Sequence, residues 1–153
     1  MVIAIGSDHA GFHIKEHVRE TLTAAGHEVI DVGASGPDSV DYPSVAEAAA
    51  GRVAGGRAER AVIACGSGTG VAIVANKVNG IRAVNAHDVP EAEMARRHND
   101  INVVTLSGAR LKPDEADAIV GAFLTTGFEG GRHARRVGQI GDVERCCEKT
   151  TAG

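Results

Sequence analysis

Five short apolar runs, each followed by a stretch of helical periodicity, restrict what this chain can fold into. The runs are residues 2–5, 28–32, 61–64, 81–85 and 102–106. Residues 12–25, 44–55, 71–77, 89–98 and 113–125 read as helices, and a last helix is expected over 133–148. Near-continuous apolar runs without polar alternation belong to strands buried on both faces, as in a parallel sheet. The repeated β–α order therefore predicts an α/β fold. We expect a three-layer α/β/α sandwich: a five-stranded, parallel, Rossmann-like sheet with an extra C-terminal helix. Gly26 is a stop for the first helix, Ser44 the expected cap of the second, and Pro113 the opening of the fifth. Residues 33–43, rich in Gly, Pro and polar residues, read as a long loop. Residues 127–131, GFEGG, read as a hinge before the basic tail helix.

Bulk properties exclude several function classes. The 153 residues suit one domain spanning 1–153. A net charge of −4 argues against a general nucleic-acid surface, so an anionic ligand would need a local basic cluster. No apolar stretch approaches the ~20 residues of a membrane span. The chain starts directly in a strand-like run, without a basic leader, and a cytoplasmic protein is expected. The three cysteines, two of them adjacent at Cys146 and Cys147, do not resemble a disulfide framework.

In an open parallel sheet, ligands bind beyond the carboxyl ends of the strands where strand order reverses. The first and third of these loops are GSDHAG (6–11) and CGSGTG (65–70), so Asp8, His9 and Cys65 are expected to converge. The third loop, Gly66, Ser67, Gly68, Thr69 and Gly70, leads into a helix whose amides favour an anion and the thiolate of Cys65. Cys65 could equally be a small buried residue ending a strand. A dinucleotide fingerprint is matched only weakly, since the third loop reads G-x-G-x-G, and a serine elbow fails because Cys65 and Thr69 stand where its two glycines belong. Asp31 stands where a ribose-binding acid could. His9, His13 and His17 are spaced by four, but no carboxylate completes a metal set, so no metal is expected and His13 and His17 read as surface residues. Tyr42, in a polar loop, is either a ring lining a cleft or a loop anchor. His98 and Asn99 precede the fifth strand at the same edge, where His98 could also cap its helix. Arg110 lies in the loop after that strand. Arg132 and Arg136 share a helical face, as a ligand clamp or as a solvated basic helix, and Arg135 reads as solvated.

Taken together, GSDHAGF, DSVDYP, CGSGTGVAIVANKVNGIRA, RRHNDINVV and EGGRHARRV resemble type B ribose-5-phosphate isomerase over residues 2–145. That family also holds the galactose- and allose-6-phosphate isomerases. The resemblance implies a cofactor-free, metal-free aldose–ketose isomerase. It would interconvert D-ribose 5-phosphate and D-ribulose 5-phosphate through an enediolate, a step of the non-oxidative pentose phosphate pathway. Cys65 resembles the base, His98 the ring-opening acid, and Asp8 the residue that binds sugar hydroxyls and aids ring opening. Residues 66–70 resemble the enediolate anion hole, with the Thr69 hydroxyl near the migrating proton. His9, Arg132 and Arg136 resemble the phosphate clamp, with Arg110 contributing, and Asn99 and Tyr42 resemble substrate contacts. Some relatives replace the cysteine and use a downstream glutamate; residues 73–75 hold none here, which favours the cysteine form. The resemblance further implies a homodimer or dimer of dimers, in which residues 132–148 pack on the partner and His98, Asn99 and the tail arginines complete the neighbour's Cys65 pocket. The alternatives are a six-carbon phosphosugar isomerase and a non-catalytic sugar-phosphate or nucleotide-binding module.

Overall fold

The segment VIAIGS forms β1 (Val2–Ser7), the first of three fully enclosed strands at the centre of the molecule. The computed structural model of the chain describes residues 1–151, with side chains as far as Cys146, so Cys147 contributes no side-chain observation. After β1 come α1 (Phe12–Ala24), β2 (Glu28–Asp31), α2 (Tyr42–Ala54), β3 (Arg60–Cys65), α3 (Thr69–Ala75) and β4 (Ala83–Asn85). The chain then runs through α4 (Val89–Asn99), β5 (Val103–Ser107), α5 (Pro113–Thr125) and α6 (Arg132–Thr151). The five strands are all parallel, in the order β2-β1-β3-β5-β4. Strand order reverses between β1 and β3, where Ser7 pairs with Ala64. The carboxyl ends of these two strands are therefore neighbours, as the sheet rule requires of a ligand crevice.

Alternate residues of each strand enter different cores, because successive side chains point to opposite faces. Ile3, Ile5, Val62, Ala64, Val104 and Leu106 join one cluster with Ile14 and Val18 of α1 and Ile119 and Phe123 of α5. Ala4, Ala61, Ile63, Cys65 and Val103 join the other with α2 and α3. That second core is alanine-rich. Ala46, Ala49 and Ala50 of α2 are fully buried at helical spacing and let the helix lie close to the sheet. The expected three-layer sandwich with an extra C-terminal helix is thus the architecture found. Among the described residues, no helix is long and apolar enough to cross a membrane.

Several boundaries differ from expectation by one to three residues. α2 begins at Tyr42, not at Ser44: Asp41 occupies the cap position in extended conformation, and Pro43 fits within the first turn. The Ser44 hydroxyl donates to the Asp41 carbonyl instead of capping the helix. α3 starts two residues early, at Thr69, because Gly68 at φ +77° turns the chain directly into it. β4 is only three residues long, and Ile81 lies outside it. Gly26, at φ +85°, does end α1. The GFEGG segment is pinned, since the Glu129 amide donates to the Arg97 carbonyl at the end of α4.

Phe123 is a sensitive test of this packing. Its ring is fully buried, the Arg60 guanidinium lies over it, and its carbonyl accepts from Arg60. Phe123→Ala should cost about 3–5 kcal/mol. In urea titrations the unfolding midpoint should fall sharply while the denaturant slope stays near the wild-type value.

Candidate active site

Three loops meet at the carboxyl edge of the sheet. Asp8 is buried, its amide donates to the Ala64 carbonyl, and its carboxylate accepts from the Gly11 amide. Gly11 presses on the end of β3, and a Cβ there would lie 2.5 Å from the Ala64 carbonyl carbon. The loop after β5 closes the other side. The amides of Gly108 and Ala109 donate to the carbonyls of Cys65 and Gly66, and the hydroxyls of Ser107 and Thr105 donate to the carbonyls of Gly66 and Gly68. The CGSGTG loop is thus fixed from both sides, as its neighbours in the sheet require.

At the base of this cradle the buried Cys65 faces the loop's own backbone. The Gly68 amide donates to Cys65 Sγ at 3.1 Å, so the positive end of that peptide dipole is aimed at the sulfur. The Thr69 amide donates to Ser67 Oγ. Gly70 and Val71 stand in the first turn of α3, where no helical carbonyl lies upstream to accept their amides. Tyr42 packs across the rim: a Cβ on Gly70 would come within 2.7 Å of its ring. Tyr42 is partly exposed, so it is a cradle wall rather than a core aromatic. His9 lies on the same side and accepts from the Val40 amide at Nδ1. Arg110, exposed, follows directly on the Ala109 contact and lines a surface cleft with His87, Glu91 and Glu115.

His98 and Asn99 form a second group with the start of α6. The His98 ring stacks on His133, centroids 4.2 Å apart and planes within 5°. His133 is buried, and desolvation, followed by the neighbouring His98, lowers its pKa. Glu129 Oε2 is 3.8 Å from His98 Nε2 and 3.6 Å from His133 Nε2. Arg132 and Arg136 are exposed beside this cluster. The end of α4 is held firmly. Arg96, itself buried, donates to the Asp100 carboxylate and the Ile101 carbonyl, and Arg82 donates to the carbonyls of Asn99 and Asp100. Among the described residues, no hydrogen bond or ion pair joins this group to the Cys65 cradle.

Other sequence candidates are engaged elsewhere. Both Asp31 oxygens are taken by the buried Lys15 ammonium, and one also accepts from the Gly33 amide, so Asp31 is a structural acid and not a ribose ligand. His17 pairs with Asp117 of α5, and His13 sits edge-on to Phe12. The sequence reading missed Asn85. From the end of β4 its amide donates to the Ser67 carbonyl and the Thr69 hydroxyl, so it sets the shape of the loop. A polar residue closing an apolar strand at the carboxyl edge was the available signal. His133 was missed because its relation to His98 exists only in the tertiary structure.

Comparison with known proteins identifies the family. The family model described as Ribose/Galactose Isomerase matches residues 3–140. Ribose-5-phosphate isomerase B of Escherichia coli is 41% identical over 143 residues, 94% of this chain and 96% of that protein. The solved structure of ribose-5-phosphate isomerase B from Clostridium thermocellum is 44% identical with a TM-score of 0.93, covering 95% of this chain and 98% of that one. The Mycoplasma genitalium enzyme, solved with bound ribulose-5-phosphate, is 36% identical with a TM-score of 0.91, covering 94% and 96%. The same sequence pattern and the same fold run through nearly the whole chain, which therefore belongs to the ribose/galactose isomerase family.

Proposed function

We propose that the protein interconverts D-ribose 5-phosphate and D-ribulose 5-phosphate, with Cys65 as the base. The observation that carries this reading is the Cys65 sulfur under the Gly68 amide at the mouth of a three-loop cradle. In the closed sugar, His98 delivers a proton to the ring oxygen as its bond to C1 breaks, and the Asp8 carboxylate takes the proton of the C1 hydroxyl as that oxygen becomes the carbonyl. Cys65, as thiolate, then takes the C2 proton. The electron pair moves into a C1–C2 double bond, and charge develops on the former carbonyl oxygen. First-turn amides of α3 face that charge, and each preorganised donor of this kind contributes ~3 kcal/mol. Thr69, oriented by Asn85, lies beside the oxygens that exchange a proton. Return of the proton to C1 yields the ketose.

His9, Arg110, Arg132 and Arg136 hold the phosphate, whose remote binding energy orients the reacting carbons. The two groups of site residues come together across a homodimer, with His98, Asn99 and the α6 arginines of one protomer over the cradle of the other. Exposed Ile73, Ile140 and Val143 on α3 and α6 provide apolar surface for such a contact. A site of this kind uses sugar phosphates, which do not leave the cell by diffusion, so the cytoplasm is its place of action.

Cys65→Ala should abolish both isomerisation and the exchange of the substrate's C2 hydrogen in heavy water, with phosphosugar binding retained. Turnover near wild type would move the base elsewhere, and faster wild-type turnover of a six-carbon aldose 6-phosphate would reassign the substrate. Asn85→Ala should lower kcat about tenfold, the worth of roughly one hydrogen bond, with a much smaller change in KM.

A further inference from the structure

We infer that His98 Nε2, Glu129 Oε2 and His133 Nε2 form a binding site for a divalent cation of the zinc class, and that occupancy of this site inhibits the enzyme. Their ligand atoms all lie within 4.8 Å of one another. The two nitrogen–oxygen separations are 3.6 and 3.8 Å. Ligands about 2.1 Å from a tetrahedral zinc stand roughly 3.4 Å apart, so both edges need to contract by only a few tenths of an ångström. The stacked rings must also splay for their lone pairs to converge. His98, with 38% of its side chain exposed, is the ring with room to tilt.

A second observation points the same way. His133 is 6% exposed, and its Nε2 has no hydrogen-bond partner among the described residues. A buried ring nitrogen without a partner is costly, and the groups it faces are a carboxylate and a second imidazole. The frame is already built. The Glu129 amide is tied to Arg97 and the His133 amide to Gly130, and Gly130 and Gly131, at φ +68° and +55°, fold the chain so that both side chains point to one place. Two imidazoles and one carboxylate, with one face open, is an arrangement zinc adopts with water as fourth ligand. Magnesium and calcium prefer oxygen ligands.

Inhibition rests on the role proposed for His98, since a nitrogen that binds metal cannot deliver a proton; binding does not depend on it. Cobalt(II) alone, as a coloured stand-in for zinc, is titrated into the full-length protein and then displaced with Zn²⁺. Initial rates with ribose 5-phosphate are followed in parallel. We expect a tetrahedral cobalt spectrum without a thiolate charge-transfer band, loss of activity that tracks occupancy, and recovery on chelation. Glu129→Gln and His133→Asn should each weaken cobalt binding at least about tenfold. Should His133→Asn fail to fold, Glu129→Gln, at a half-exposed position, decides alone. A thiolate band, which would place the metal on a cysteine, or unchanged affinity in Glu129→Gln overturns the site. Tight, Glu129-dependent binding at an unaffected rate overturns the inhibition and the acid role of His98 while upholding the site.

Discussion

The close approach of the loops after β1, β3 and β5 is the constraint on which the rest of the site depends. Gly11 lies against the end of β3, and Gly108 lies against the Ala10 carbonyl at a distance that leaves no space for a Cβ. This approach lets the Asp8 amide reach the Ala64 carbonyl beside Cys65 and lets the β5 loop fix the Cys65 and Gly66 carbonyls. With those carbonyls fixed, Gly68 can adopt its left-handed conformation and aim its amide at the sulfur. A side chain at Gly68 would also collide with Asn85, the residue that holds the loop from the far side. The placement of Cys65 and its loop here follows from backbone packing more than from side-chain contacts.

The parts of the fold that were legible in the sequence share a physical origin. β1, β3 and β5 are covered on both faces, and two-sided burial leaves near-continuous apolar runs too short for buried helices. The cradle was legible because its residues are contiguous or end neighbouring strands. Asn85 carried only a faint signal, because β4 is too short to show a pattern. The lock on the end of α4 was hidden altogether: nothing in the sequence sets Arg82 and Arg96 apart from other charges until the fold puts them on Asp100. Tyr42 and Pro43 looked like loop residues because proline usually interrupts a helix, yet its missing amide is harmless in a first turn.

Both groups of candidate residues stand on backbone fixed by hydrogen bonds, and no bond joins them within the chain among the described residues. The cradle offers a sulfur and an anion-stabilising loop. The α4–α6 corner offers imidazole and guanidinium groups on a stiff support. Aldose isomerisation needs both kinds of chemistry on one sugar, a base at C2 and an acid at the ring oxygen some ångströms away. A two-fold axis that brings each corner over the opposite cradle would produce two equivalent complete sites from two incomplete chains.

The most direct measurement of that claim is activity recovery in mixed dimers. Cys65→Ala and His98→Asn, each expected to lose turnover of ribose 5-phosphate, are unfolded and refolded together, with subunit exchange verified by mass. In a mixed dimer with shared sites, one site carries both defects and the other carries neither. Random pairing makes about half of the dimers mixed, so about a quarter of wild-type activity should return. If His98 serves the Cys65 of its own chain, every site keeps one defect, and no activity returns despite complete exchange.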